Sequence, residues 1–349
     1  IEDGGVEKNL FLISNYLVKK DFNVSVISSD ISKKKNFLDK VNFVHSNYFV
    51  RKNSGRYIKY LSCIITLIKL LIIQKNCIIL SFQANIYCTF VAILFNKKII
   101  TRLNTAPQGW DHNYIKNLIY SFFIKRADVS IVNSLEFKKE VDKRFLINSI
   151  FINNPFDFYK IKKLSKYRVK YPLKKKLNLI NVGRLTDQKD QITIIKSLIH
   201  LKNLKNISLL ILGKGSKKKV LIEFIKKNKL SKNVKLIGYK KNPYPYIDKA
   251  DIFILSSKYE GSPNVLIEAQ FLNKFIISTD CPTGPKEILK NYKNSKLFKV
   301  GNAKQLALLI DNYKFNKKRK IFKELKNYEV NFNCKKYIKL IEKIHNDID

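Results

Sequence analysis

The amino-acid sequence predicts an α/β protein made of two Rossmann-like, doubly wound parallel-sheet domains. Two observations carry that expectation. Short apolar runs alternate with longer segments of helical period along the 349 residues, the pattern of repeated βαβ units. The runs also form two series on either side of "NNPFDFYKIKKLSKYRVKYPLKKK" (153–176), a Pro- and Lys-rich stretch of weak periodicity that reads as a hinge region. A chain of this length accommodates two domains with separate cores.

Taken in order, "IEDGGVEKNLFLISNYLVKK" (1–20) is a turn followed by an amphipathic helix. A βαβ unit needs a strand before such a turn, and residue 1 is Ile, so the chain is expected to lack the first strand of its first sheet. In a doubly wound sheet that strand lies centrally, and the N-terminal half should be weakened without it. A thermal melt no lower than that of a form restored by about ten residues, one strand with its turn, would refute this. Strand-like runs follow at 23–27, 41–44, 77–82, 98–103, 129–133 and 149–152. The longest apolar run, 61–73, is broken by Lys69 and is too short to cross a bilayer. It lies in "RYIKYLSCIITLIKLLIIQK" (56–75), whose cations and aromatics beside a broad apolar face suit a buried crossover helix or a helix lying on a membrane. The second series is 179–182, 207–212, 234–237, 251–255, 275–278 and 296–300, and a helix is expected over 331–344. The expected domains are 1–155 and 156–330, with the 331–349 helix either capping its own domain or packing back on the first.

Sixty-eight Lys and Arg against twenty-seven Asp and Glu leave a formal charge of +41. Such a surplus suits nucleic acid or an anionic membrane surface. It also fits an AT-rich coding bias, since Lys is accompanied by abundant Asn and Ile and is spread along the chain. Either way, the field draws anionic lipid or anionic substrates. No basic stripe interleaved with aromatic residues is visible, so nucleic acid is not an expected partner. Cys63, Cys77, Cys88, Cys281 and Cys334 are odd in number and scattered, against both a disulfide framework and a zinc site. With no signal-peptide pattern, a cytoplasmic location is expected, peripheral at the inner face of the cell membrane. His45, His112, His200 and His345 lack metal-ligand spacing, and the single D-x-D, Asp347-Ile348-Asp349, lies at the chain end. No metal or other cofactor is expected, and activity should persist in EDTA.

The densest chemistry is "YEGSPNVLIEA" (259–269), which follows an almost wholly apolar strand. Ser262 suits an N-cap and Pro263 the first helical position, so Asn264 and Val265 present backbone N–H groups to a phosphate. Gly261 permits close approach of a ligand to the backbone. At about 100° per residue, Val265, Ala269 and Leu272 form an inward stripe with Glu268 roughly 40° from Leu272. A carboxylate there must be paired, by the vicinal hydroxyls of a ribose or by one of the many lysines. "NVGRLTDQKD" (181–190) ends another strand and places Arg184 and Lys189 on a strand-to-helix loop. Both loops leave the carboxyl edge of a parallel sheet, where ligands bind. Two cations and a helix start describe a diphosphate site.

"GGVEKN", "ADVSIVNS", "INNPFD", "VGRLTDQKD", "LLILGKG", "VKLIGYKKNPYPYIDKADIFILSSKYEGSPNVLIEA" and "TDCPTGPKEIL" fall in the order seen in family 4 retaining glycosyltransferases, and the chain resembles that family over nearly its whole length. The resemblance implies the GT-B fold, in which two such domains face each other across a cleft. It implies that Arg184 and Lys189 hold the diphosphate of a nucleotide-sugar and stabilise it as leaving group, with Glu260 beside the donor sugar and Glu268 on the ribose. Backbone of Gly261, Ser262, Asn264 and Val265 would meet phosphate or sugar, Gly238 to Asn242 would flank the base, and Gly4 and Gly5 would form the donor-side turn of the first domain. Loss of Arg184 or Lys189 should abolish most turnover with little loss of fold. With Glu260 the lone carboxylate near the sugar, attack on the face of departure is favoured over a covalent intermediate.

On the acceptor side, "TRLNTAPQGWDH" (101–112) offers Arg102, Asn104 and His112. The implied reaction transfers a hexose or N-acetylhexosamine, with UDP the expected carrier, to a glycan or lipid-linked acceptor in cell-surface polysaccharide, lipopolysaccharide or lipid-linked oligosaccharide synthesis. The alternatives are a UDP-sugar epimerase of the same fold, a lysine-rich nucleic-acid binder and a scaffold without activity.

Overall fold

The computed structural model describes residues 4–51, 54–74, 76–104, 114–173, 175–313 and 325–346. Contacts divide the chain into two compact units, Ile1–Phe156 with Asn327–Asp349, and Asp157–Lys326.

The first unit runs α1 (Gly5–Val18), β1 (Ser25–Ser28), β2 (Asn42–His45), α2 (Arg56–Ile73), β3 (Ile79–Ser81), α3 (Asn85–Leu94), β4 (Ile99–Arg102), α4 (Tyr114–Arg126), β5 (Val129–Val132), α5 (Leu135–Phe145) and β6 (Ile150–Phe151). All paired strands are parallel: β1 pairs with β2, and β3-β4-β5-β6 form a separate sheet.

The second unit runs α6 (Phe158–Ser165), β7 (Leu177–Val182), α7 (Gln191–Leu198), β8 (Ile207–Leu212), α8 (Lys218–Lys227), β9 (Val234–Leu236), α9 (Tyr244–Lys249), β10 (Ile252–Leu255), α10 (Asn264–Phe271), β11 (Phe275–Thr279), α11 (Pro285–Leu289), β12 (Ser295–Phe298) and α12 (Ala303–Asp311). Its six strands form one parallel sheet in the order β12-β11-β10-β7-β8-β9. The chain then returns to the first unit as α13 (Val330–Asn346), entered through paired backbone bonds between Phe156 and the 328–330 segment.

Period-two alternation sorts the first unit's core to two faces. Ile100 and Ile131 pack with Ile13 and Leu17 of α1 and with Tyr337 and Leu340 of α13. Their neighbours Ile79 and Ile99 pack with Leu71 of α2 and with Val91 and Ala92 of α3. In the second unit β8 is buried at all six positions and β10 at all four, as befits strands covered on both faces.

Every strand-like run of the sequence corresponds to a strand. The expected hinge differs: residues 158–165 are a helix of the second unit. Asp157 caps it by accepting from Lys160 N at 2.8 Å, Ile161 is buried, and Phe158 stacks on Phe271 at 4.7 Å. Among the described residues no helix is long and apolar enough to cross a membrane.

Candidate active site

The strand order of the second unit reverses at β7: β8 and β9 lie to one side, β10 to β12 to the other. The loops after β7 and β10 therefore diverge at a topological switch point, the place where open α/β sheets bind ligands. Arg184 and Lys189 lie on the first loop, and Glu260 and Gly261 on the second.

The β7 loop is held by backbone. Gly183 N–H donates to Leu212 O at 2.9 Å, Leu185 N–H to Lys214 O at 2.9 Å, and Lys217 N–H to Leu185 O at 3.0 Å. This close approach explains the G-x-G at 213–215. A Cβ on Gly213 would lie 1.8 Å from Gly183 O, and one on Gly215 2.3 Å from Leu185 O. Leu185 is buried beneath the loop and Arg184 is exposed.

Lys189 behaves otherwise. Its Nζ lies 2.5 Å from Oε1 of Glu260, and Ser257 Oγ donates to the same oxygen at 2.6 Å. The two loops are stitched together around this pair: Ser256 Oγ donates to Lys189 O at 2.8 Å, Lys258 N–H to Gln188 O at 2.8 Å, and Gln188 Nε2 to Tyr259 O at 3.0 Å. A third loop, "TDCPTG" (279–284), backs the second. Thr279 Oγ1 donates to Ser257 O at 2.7 Å, Thr283 Oγ1 donates to Glu260 O, and Glu260 N–H donates to Pro282 O at 3.3 Å. A Cβ on Gly284 would meet Gly261 O at 2.4 Å. Burial, with Glu260 nearby, pushes the Cys281 thiol up to about 12, so it stays neutral.

Helix α10 departs from expectation in two ways. It begins at Asn264, so Pro263 rather than Ser262 holds the N-cap position, and Pro263 makes no side-chain cap bond. Its expected inward stripe is absent because Leu266 to Gln270 are all buried and Val265 is only half-buried. A helix covered all round has no single inner face. Glu268 is deeply buried and its Oε1 accepts from the Tyr244 hydroxyl at 3.1 Å.

Other expected ligands are committed elsewhere. Asn242 donates to Leu164 O at 3.0 Å and accepts from Tyr244 N–H at 3.3 Å, so its side chain tethers α6 to α9 and has one amide N–H left over. The Gly238 carbonyl accepts from Gly213 N–H at 3.0 Å. In the first unit, Gly4 precedes α1 and Gly5 opens it, and Gly4 N–H donates to Glu7 Oε2 at 3.0 Å. Burial raises the Glu7 pKa above its usual value, and its other oxygen accepts from Gln83 at 3.2 Å.

Arg102 is not an acceptor ligand. It is completely buried at the end of β4, on the Ile100 face, donating to Asn104 Oδ1 at 3.2 Å, to the Tyr337 hydroxyl and to Asn154 Oδ1. Asn104 likewise spends its amide on Phe82 O at 2.9 Å and Arg102 O at 3.1 Å. A polar residue ending a strand read as a cleft residue, whereas the period of β4 turns Arg102 towards α13. His112 lies outside the described residues. Ser257, Thr283 and Tyr244 escaped the sequence reading, for nothing in their spacing marks them as partners of the glutamates.

Residues 165–328 match the family described as Glycosyl transferases group 1. The chain is 40% identical over 221 residues to an uncharacterized glycosyltransferase of Methanocaldococcus jannaschii, covering 56% of this chain and 53% of that protein. It is 26% identical over 223 residues to an N-acetylgalactosamine-N,N'-diacetylbacillosaminyl-diphospho-undecaprenol 4-alpha-N-acetylgalactosaminyltransferase of Campylobacter jejuni, covering 62% and 60%. The chain thus spans little more than half the length of these relatives. Among solved structures, Anabaena Alr3699/HepE in complex with UDP and glucose superposes with a TM-score of 0.74 at 16% identity, over 99% of this chain and 95% of that one. This likeness establishes the GT-B fold.

Proposed function

Residues 165–328 belong to the glycosyl transferases group 1 family, and from that membership we propose that the protein is a retaining glycosyltransferase moving a hexose or N-acetylhexosamine from a UDP-sugar to a growing cell-surface glycan. The observation that carries the proposal is the arrangement at the switch point: an exposed Arg184, the Lys189–Glu260 pair and the start of α10 on stitched neighbouring loops. The UDP complex of the structural neighbour supports the carrier. The name of the Campylobacter jejuni relative supports an N-acetylhexosamine donor and a lipid-linked acceptor.

In this reading the diphosphate lies against Arg184, Lys189 and the first amides of α10, and Glu268 takes the ribose hydroxyls. As the glycosidic bond breaks, negative charge gathers on the phosphate, and preorganised donors lower the barrier by stabilising it. Lys189 reaches the phosphate from its place beside Glu260, so donor binding divides one ammonium between two anions. Glu260, held by Ser257 and by the 279–284 loop, faces the sugar and orients it for attack on the face the leaving group departs from. The acceptor reaches the protein at an anionic membrane, and the catalytic chemistry draws on no metal.

Calorimetry with UDP-, GDP- and ADP-sugars on wild type and Glu268→Ala tests the proposal. Saturable heat with a UDP-sugar, weakened in the variant, is expected. A flat trace with every donor would sink it. None of these observations favours an epimerase.

A further inference from the structure

We propose that Tyr244 is a positioning residue for the ribose end of the donor site: its hydroxyl holds the Glu268 carboxylate in the orientation that accepts both vicinal hydroxyls, and so sets the preference for a ribonucleotide over its 2′-deoxy counterpart. The inference rests on the reading of Glu268 as the ribose ligand. Glu268 lies in the fully covered stretch of α10, 1% exposed, between buried Ile267 and Ala269. A carboxylate in such a place needs a hydrogen-bond donor to hold it. The Tyr244 hydroxyl supplies one, donating to Glu268 Oε1 at 3.1 Å from 24 positions away in the chain. A phenol is neutral, so it orients the acceptor without cancelling its charge as an ammonium would.

Tyr244 is itself fixed before any ligand arrives. It is 8% exposed and opens α9 directly after Pro243, and Pro245 and Ile247 of the same helix are buried with it. Its backbone N–H donates to Asn242 Oδ1 at 3.3 Å, and Asn242 donates in turn to Leu164 O of α6 at 3.0 Å. A tyrosine side chain has only two torsions, so a backbone pinned in this way leaves the hydroxyl little freedom. The bond to Oε1 occupies one of about four acceptor positions on a carboxylate, and so aims the group without spending what two incoming hydroxyls need. The tether runs through Asn242, the last residue of the segment expected to flank the base, so base and ribose recognition share one short piece of chain. A tyrosine that only stitched α9 to α10 would add stability, and its loss would weaken every nucleotide alike. A tyrosine that aims Glu268 acts on the diol.

The test is calorimetry of the full chain with UDP and with 2′-deoxy-UDP, on wild type, Tyr244→Phe, Glu268→Ala and the double variant. Wild type should prefer UDP by about tenfold to a hundredfold, the worth of a hydrogen bond to a charged group. Tyr244→Phe should weaken UDP about tenfold and 2′-deoxy-UDP, which keeps its 3′-hydroxyl, about threefold at most, so the preference shrinks. Glu268→Ala should erase the preference, and adding Tyr244→Phe to it should change nothing further. Both nucleotides meet the same folded fraction, so their ratio stays readable in a variant of weakened fold. A preference unchanged in Tyr244→Phe but erased in Glu268→Ala overturns the positioning role alone. So does an equal loss for both nucleotides in Tyr244→Phe, the mark of a stitch between helices. A preference that survives Glu268→Ala, or wild type that binds neither nucleotide, overturns the ribose reading as well.

Discussion

Replacing Lys189 separates two roles that its position in the sequence merges. Its ammonium lies 2.5 Å from Oε1 of Glu260, with side chains 18% and 7% exposed. Removing one partner of a buried ion pair costs about 3–5 kcal/mol because the other charge is left stranded. Ser257 would still donate to the same oxygen, returning about 1 kcal/mol. Lys189→Met should therefore destabilise the second unit by about 2–4 kcal/mol, a fall in Tm of about 4–16 °C. Lys189→Met with Glu260→Gln removes both charges and should cost less than Lys189→Met alone, a coupling of about 1–3 kcal/mol. Because the chain has two units, a single melt need not report one transition. Exchange of the β8 amides, buried at every position, reads the opening of the second unit directly. Lys189→Met as stable as wild type, or a double variant no better than it, would refute the reasoning. The expectation that either cation can be lost with little harm to the fold thus narrows to Arg184, which is exposed. Arg184→Ala should leave stability within about 0.5 kcal/mol while turnover falls about 10²- to 10³-fold.

Gly213→Ala, whose Cβ would lie 1.8 Å from Gly183 O, should cost about 3 kcal/mol or more and displace the Arg184 loop; Gly238→Ala meets nothing within 4 Å and should cost only the strain of its φ of +73°, about 1–2 kcal/mol, both read by urea denaturation. Arg102→Met should destabilise the first unit by about 2–4 kcal/mol without raising the acceptor KM of the folded fraction; a specific rise in KM would restore its acceptor role. For Glu7, burial raises the folded pKa above 4.5, so the folded state binds the proton more tightly than the unfolded one. Its contribution is greatest below pH 4.5 and is lost as pH rises through the folded pKa, so Glu7→Gln should gain on wild type over that window in paired melts.

The strands were legible because burial on both faces writes itself as uninterrupted apolar sequence, as in "ISLLIL" of β8 and "IFIL" of β10. Their ends were less so. β1 and β12 are only partly buried, and there the runs of the sequence slide by one or two residues against the strands. Helix α6 was hidden because "FYKIKKLS" buries only Ile161 and Ser165 among its lysines, although Asp157 is an ordinary cap signal. The loops that carry Arg184, Lys189 and Glu260 were readable from their place after strands. What these side chains touch was not, since Lys189 and Glu260 are 71 positions apart and no periodicity relates them. Arg102 shows the opposite failure: its place at the end of a strand suggested an acceptor ligand, while the alternation of β4 turns it inward against Tyr337.

These contacts give the four loops after β7, β8, β10 and β11 a division of labour. Backbone bonds and glycines fix the loops to one another, from Gly183, Gly213 and Gly215 on one side to Gly261 and Gly284 on the other. Lys189 and Glu260 satisfy each other across the seam between them, and Ser257 and Thr283 hold the glutamate from behind. Arg184 stands outside this scheme, with no ion-pair partner among the described residues. A cation whose removal disturbs nothing in the scaffold, set on a loop that cannot easily move, is one whose electrostatic work is available to a ligand. Stability variants should therefore cluster at the seam and rate variants at Arg184. That partition follows from which groups are already paired before any donor arrives.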